Sequence, residues 1–211
     1  MNIHKLKIII FCIILAAAGS LYIAGRSAEA DATQKDIAKE IIRFHVIANS
    51  DSDEDQALKI KVKNAVVKEL QEKLKNAGTI DDAREIMIGQ LEGIEETASA
   101  VMREEGCRYG AKASLVQRTF PVKIYGDMAF PAGEYEALQI KLGKAEGKNW
   151  WCVMFPTLCF VDGTYSIVPE ESKEKLEHVL TEEEYQSLLI KNTGKITIKW
   201  KWKEWLKQLF D

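Results

Sequence analysis

The sequence predicts an α+β fold: two long helices packed on a mainly antiparallel sheet, with an N-terminal signal or anchor segment and a helical, Lys/Trp-rich C-terminal tail. Apolar residues recur every three or four positions over residues 53–76 and 79–105, which is the period of an amphipathic helix. From residue 111 the apolar residues alternate with polar ones, as in a half-buried strand. Helices followed by clustered strands are typical of the α+β class.

Residues that favour turns and helix caps separate the predicted elements. Asn49 and Ser50 end the first strand, and Thr79 with Asp82 matches a capping box at the start of the second helix. A second capping-box pattern, at residues 181–184, lies in a charged stretch that we expect to be helical. The predicted strands cover residues 41–48, 111–116, 121–125, 134–142 and 150–155, and the predicted helices cover residues 53–76, 79–105 and 170–191.

Composition excludes several classes of function. Hydrophobic residues make up 46% and charged residues 29% of the 211 positions, so the chain can bury a core and is not disordered by composition. The net charge of −3 argues against a nucleic-acid partner, for which a pI above about 9 is typical. Three histidines are too few for a multi-histidine metal site. We expect no nucleic-acid partner, no cofactor and no metal.

The N-terminus predicts export. Lys5 and Lys7 precede an uncharged, mostly apolar run over residues 8–25, which as a helix would span roughly 27 Å at 1.5 Å per residue. The small-x-small pattern at residues 28–30 then favours a cleaved secretory signal peptide. An uncleaved membrane anchor remains open, because the run is long for a signal peptide. In both cases the following residues cross the cytoplasmic membrane.

Three segments are expected: a signal peptide or anchor at residues 1–30, an exported domain at residues 31–168 and a C-terminal extension at residues 169–211. Residues 195–210 interleave lysine with tryptophan, a composition that suits contact with a membrane surface. The alternative for this tail is a last strand and a helical end packed on the core.

The cysteines are compatible with two oxidation states of the exported part. Cys12 lies in the apolar run, so Cys107, Cys152 and Cys159 remain in the exported part, and at most one intramolecular bridge can form. Cys152 and Cys159 flank a short stretch predicted to be a hairpin that could bring two strands face to face. We expect either a Cys152–Cys159 disulfide or two buried thiols.

Catalytic patterns are missing from the sequence. His45 and His178 are the candidates for a histidine base in the exported part, and no G-x-S-x-G, H-E-x-x-H or phosphate-binding glycine motif is present. We therefore expect a protein that is not an enzyme. The alternative is a secreted, envelope-acting hydrolase that uses His45 and Cys107, with acidic residues near Asp51.

The acidic cluster after the first strand resembles a calcium loop only at its start. Asp51, Asp53 and Asp55 have the opening spacing of an EF-hand, but Gln56 and Val62 stand where the turn glycine and the bidentate glutamate are needed. We interpret the cluster as a helix cap and expect no metal there.

The adjacent Trp150 and Trp151 are the most unusual aromatic feature. Neighbouring residues on a strand point to opposite faces, so one ring is expected in the core. The other is expected to be covered by a helix or presented to a partner, since tryptophan is a common interface anchor.

Two long sequence blocks resemble the stage II sporulation protein R family. The first reads RFHVIANSDSxxDQ over residues 43–56 and is followed by Leu58 and Lys59. The second reads FPAGEYEAL over residues 130–138 and GxNWWCVxFPxLCF over residues 147–160. The resemblance covers roughly residues 37–168.

The resemblance implies an exported signal of endospore formation. Such proteins leave the forespore, enter the space between forespore and mother cell, and activate a membrane-embedded aspartic protease that processes pro-sigma-E. It carries over no catalytic residue. We expect partner contact in the two blocks, at His45, Asn49, Asp51, Asp55, Gln56, Asn149, Trp150 and Trp151.

Overall fold

The computed structural model describes residues 3–159 and 167–190 of the protein. The helices are α1 (Ile3–Glu40), α2 (Asp53–Leu74), α3 (Ile80–Gly89), α4 (Leu91–Glu104), α5 (Glu170–Val179) and α6 (Glu182–Leu188). The strands are β1 (Ile42–Ile47), β2 (Ala111–Phe120), β3 (Lys123–Tyr125), β4 (Met128–Phe130), β5 (Gly133–Leu142) and β6 (Asn149–Phe155).

Four strands form the main sheet in the order β2-β5-β1-β6, and β3 pairs with β4 in a separate two-stranded sheet. β2 is antiparallel to β5, and β6 is antiparallel to β1. β1 and β5 are parallel, so α2, α3, α4 and three strands all intervene between these neighbours. The predicted α+β fold with helices on a mainly antiparallel sheet is confirmed.

Strand alternation divides β1 between the two faces of the sheet. Phe44 and Val46 are fully buried in the core, together with the apolar stripe of α2 at Val62, Val66 and Leu70. Each such side chain contributes about 1.5–3 kcal/mol through the apolar surface it removes from water. The intervening residues of β1, including His45, therefore point to the opposite face.

The predicted helix over residues 79–105 is corrected to two helices. α3 ends at Gly89, and Gln90 has φ −106° and ψ 1° before α4 begins. Gly89 is a weak helix former, which favours a break here. The buried residues Met87 and Ile94 lie on either side of the break, so the apolar period continues through it and predicts one helix. Both predicted capping boxes, at Thr79 and Thr181, are confirmed.

The N-terminal segment and the beginning of the domain share one helix. α1 runs without interruption past residue 30, and its last turn places Ile37 in the core; Ile41, directly after the helix, is also fully buried in the core. Gln34 donates to the carbonyl of Glu134 at 3.1 Å and lies where a side chain at Gly133 would collide with it.

Among the described residues, no helix combines the length and apolar composition needed to cross a membrane. The predicted signal or anchor role of residues 1–30 stays a prediction. The Lys/Trp-rich tail at residues 195–210 lies outside the described residues.

Candidate functional site

His45 lies in the middle of β1 and is held by its neighbours on both adjacent strands. The register places it opposite Gln139 of β5 and Trp151 of β6. Its Nε2–H donates to Asn149 Oδ1 at 2.9 Å, and its Nδ1 accepts from Gln139 Nε2 at 3.1 Å. The imidazole stacks on Trp151, with ring centroids 3.9 Å apart and 9° between the planes. These contacts fix the orientation of the ring.

The surroundings of His45 disfavour the charged form of its imidazole. Burial lowers the pKa of His45; the hydrogen bond to Asn149 opposes this shift, and the charges of Arg118 and Lys141 lower the pKa further. A general base needs a lone pair within reach of the proton that it removes. Since Nδ1 already accepts from Gln139, the ring is arranged as a packing element.

Cys107, the candidate nucleophile of the hydrolase alternative, is a half-buried free thiol that interacts with Tyr109. Its described interactions do not include His45, and a cysteine nucleophile needs a base within hydrogen-bond reach. The described residues also contain no group of three histidine, cysteine or acidic side chains that could hold a metal ion. The described contacts therefore do not pair Cys107 with His45, the two residues of the hydrolase alternative.

The two tryptophans point to opposite faces, as strand alternation requires. Trp150 is opposite Val46, and Lys63 of α2 places its Nζ 4.7 Å from the centroid of the Trp150 ring. Trp151 lies on the other face against His45 and Phe120. Both tryptophans are half-buried. Lys63 of α2 therefore partly covers Trp150, and both tryptophans retain an accessible part.

The carboxylate of Asp55 connects the residues of the turn between β1 and α2 by hydrogen bonds. Its carboxylate accepts from Asn49 Nδ2 at 2.8 Å, from Ser50 Oγ at 2.5 Å and from the Tyr109 hydroxyl. Burial alone would raise the pKa of Asp55, but the hydrogen bonds from Ser50, Tyr109 and Asn49 outweigh it and lower the pKa. Asp55 also donates its backbone N–H to the N-cap residue Ser52. This carboxylate fixes the first turn of α2 against the end of β1.

The same turn holds the loop between β5 and β6. Asn49 Oδ1 accepts from the N–H of Lys144 at 2.9 Å, and Asp51 Oδ1 accepts from the N–H of Lys148 at 2.6 Å. Bonds to backbone N–H groups depend on the position of the main chain in residues 143–148. Asn49 and Asp51 therefore fix the entry of the chain into β6.

Gln56 and Lys59 complete this connection from the side of α2. Gln56 Nε2 donates to the carbonyl of Ser50 at 2.9 Å. Lys59 Nζ donates to Gln56 Oε1 at 2.6 Å and to the carbonyl of Lys148 at 3.1 Å. A Cβ at Gly147 would collide with the carbonyl of Ser50, so the two loops approach as closely as glycine allows.

Of the two states left open for the cysteines, the structure contains the Cys152–Cys159 disulfide, with the Cα atoms 5.4 Å apart. The predicted hairpin is corrected, because Cys159 lies in a turn that follows β6. Pro156 has no N–H with which to continue strand pairing. The N–H of Leu158 donates to the carbonyl of Val153 and closes the turn.

Arg43 is a buried cation that the sequence reading did not single out. Its guanidinium carbon lies 4.5 Å from the ring centroid of Phe120, 5.0 Å from that of Tyr135 and 5.4 Å from that of Phe130. Nη2 donates to the Tyr125 hydroxyl at 3.4 Å. Burial lowers the pKa of Arg43. The ring faces attract the cation and hold β1, β2 and the β3–β4 pair together.

The sequence did contain a signal for Arg43: it is a charged residue that lies between apolar residues of a predicted strand. Arg118 and Lys141, which lie near His45, were also missed, and their signal was the alternation along their strands. Among the eight residues predicted to bind a partner, two are exposed (Asp51 and Asn149), four are half-buried (Asn49, Gln56, Trp150 and Trp151) and two are buried (His45 and Asp55). The partner-binding role of all eight residues stays a prediction.

Comparison with known proteins places both sequence blocks in one family. The family model described as Stage II sporulation protein R matches residues 38–165. The chain belongs to the stage II sporulation protein R family. A relative with the same description from Bacillus subtilis (strain 168) is 37% identical over 174 residues, which cover 80% of this chain and 78% of the relative. No solved structure matches the chain.

Membership of the stage II sporulation protein R family confirms the resemblance seen in the sequence and supports a role in sporulation. Both family blocks contribute to the site: the first supplies His45 and the turn around Asp55, and the second supplies Asn149 and Trp151. The family signature therefore includes residues that hold each other in place.

Asp55→Asn is expected to lower the free energy of unfolding by about 1–3 kcal/mol at pH 7, because three half-buried donors lose a charged acceptor. The control Asp53→Asn removes an exposed charge from the same helical turn and is expected to cost about 0.5 kcal/mol. Urea unfolding of each variant measures both values. The folded pKa is lowered, so the deficit of Asp55→Asn should shrink as the pH falls below about 4. Equal losses in the two variants would contradict this role of Asp55.

In the folded protein, His45 is expected to titrate below the ordinary histidine value of about 6.5, since burial and nearby cations disfavour its charged form. NMR of ¹⁵N-labelled imidazole measures both the pKa and the tautomer, and the Nε2–H tautomer is expected. Titration at or above that value, or a proton on Nδ1, would contradict the hydrogen-bond assignment.

Proposed function

We propose that this protein is an exported intercellular signal of endospore formation. It leaves the forespore, enters the space between forespore and mother cell, and activates the membrane-embedded aspartic protease that processes pro-sigma-E. Membership of the stage II sporulation protein R family supports the sporulation role. The basic and apolar N-terminus supports export, and the disulfide suits an oxidising compartment.

The single observation that carries a binding role is the state of His45. Both of its ring nitrogens are engaged by amides, and its ring is stacked on a tryptophan. A residue held in this way can shape a surface, which supports the proposed role as a binding ligand that is not an enzyme.

An activating ligand must bind the active state of its target more tightly than the inactive state. Shifting a population from 1:99 to 99:1 requires about 5.5 kcal/mol of differential affinity. One or two tryptophan or arginine anchors can supply a large part of this, because a single anchor contributes 2 kcal/mol or more. Trp151 and Arg118 are the anchors that we propose on the His45 face of the sheet. Residues 195–210 add contact with the membrane surface.

Co-expression of the full chain with the protease and pro-sigma-E in a non-sporulating bacterium tests this function. The expected result is processing that requires both the chain and the protease. Trp151→Ala is expected to weaken activation by about 30-fold, which corresponds to the loss of one anchor. Ile88→Ala removes an exposed apolar side chain from α3 and serves as the matched control, with activation unchanged.

Thermal unfolding of the purified variants separates loss of contact from loss of fold. Processing of pro-sigma-E by the chain without the protease would overturn the ligand role and favour hydrolysis. Processing by the protease at the full rate without the chain would overturn activation.

A further inference from the structure

β2 is an edge strand of the main sheet. Among the described residues, only the beginning of its outer edge has a hydrogen-bond partner. β2 pairs with β5 on one side over its full length, without a register shift. On the other side, the N–H of Ala113 donates to Glu95 Oε1 of α4 at 2.9 Å. The carboxylate of Glu95 therefore occupies the beginning of this edge.

The bond to Glu95 also shows which backbone groups point outward. Successive residues of a strand direct their N–H groups to opposite sides, so the N–H groups of Leu115, Gln117 and Thr119 point the same way as that of Ala113. No described backbone group outside β5 pairs with these three residues. Gln117 and Thr119 are exposed. Within residues 3–159 and 167–190, no backbone group covers this edge from about residue 114 to residue 119.

The face beside this open edge is basic. On the His45 side of the sheet, β2 carries Lys112 and Arg118, and β5 carries Lys141 opposite Lys112. Lys112 forms an ion pair with Glu95 at 3.1 Å, so Arg118 and Lys141 are the cations of this face that are not neutralised by Glu95. The residues of β1, β2, β5 and β6 that point to this side include no aspartate or glutamate. A strand added to β2 would place every second side chain next to these cations.

A second copy of this chain is a poor occupant of the edge. Antiparallel pairing of two β2 strands around Leu115 would put Lys112 of one copy directly opposite Arg118 of the other. Pairing around Gln117 would make the two Arg118 side chains diagonal neighbours on one face. Like charges in either position oppose pairing, as lysine and arginine do on many natural edge strands.

From this edge and its charge, we infer that residues 114–119 of β2 bind an extended, carboxylate-bearing segment of a partner protein by strand addition. Main-chain hydrogen bonds supply affinity at such an edge, and alternate side chains supply specificity. The inference rests on the proposed function, because the activated protease supplies the segment. Aspartate or glutamate at alternate positions of the added strand would lie beside Arg118.

Photo-crosslinking tests this contact in the co-expression system described above. The photoreactive residue p-benzoylphenylalanine replaces Gln117 in one variant and, as the matched control, the exposed Gln71 of α2 in another. Crosslinking to the protease is expected from position 117 and not from position 71. Processing by the unsubstituted chain, with no crosslink from position 117, would overturn strand addition and leave the proposed function standing. Failure of the unsubstituted chain would instead overturn the proposed function.

Two further variants test the backbone and the charge separately. Gln117→Pro removes an outward N–H but leaves the pairing with β5, because proline is tolerated at an open edge, and activation should be lost. Arg118→Glu is expected to weaken activation by more than about tenfold through like-charge contact, while the control Lys68→Glu on α2 leaves it unchanged. The crosslink from position 117 keeps the test decisive if Gln117→Pro does not fold, because Arg118→Glu also removes an anchor of the proposed function.

Anionic phospholipid vesicles provide the last arm of the test. Binding of the chain to vesicles that is lost in Arg118→Glu, with no crosslink to the protease, would assign the basic face to a lipid surface and overturn the inference. Vesicle binding that does not change in Arg118→Glu, together with a crosslink from position 117, supports strand addition.

Discussion

The hydrogen bonds between two loops are the constraint on which the remaining site depends. The turn after β1 and the loop before β6 are about 95 residues apart in sequence, yet Asn49 accepts from the backbone of Lys144 and Asp51 from that of Lys148. Asp55 holds the same turn against α2 and Tyr109. Because these bonds set the entry into β6, they also set the register that brings Asn149 and Trp151 to His45.

In this arrangement, polar residues of the family blocks are held in place by contacts with other residues. The carboxylate of Asp55 has three side-chain donors, and the two ring nitrogens of His45 each have an amide partner. Arg43 lies within a group of aromatic rings. These polar residues make one arrangement of the sheet and loops more favourable than others, and a binding surface needs that rigidity.

Sequence reasoning predicted the local elements best, because periodicity and capping are local properties. It correctly predicted the apolar stripe of α2, both capping boxes, and that Trp150 and Trp151 point to opposite faces of the sheet. The parallel pairing of β1 with β5 could not be predicted, since no local sequence feature of either strand specifies its partner. The break at Gln90 was hidden by an apolar stripe that continues across it. Gln139 and Tyr109, which complete the polar networks, join them only through tertiary contact.

Hydrogen exchange at the loop between β5 and β6 tests the central claim most directly. The N–H groups of Lys144 and Lys148 donate to side chains of the β1–α2 turn, so they should exchange much more slowly than amides of an unstructured peptide. Replacing Asn49 by alanine should remove the protection of Lys144. Rapid exchange of both amides in the unsubstituted protein would show that the two loops do not hold each other.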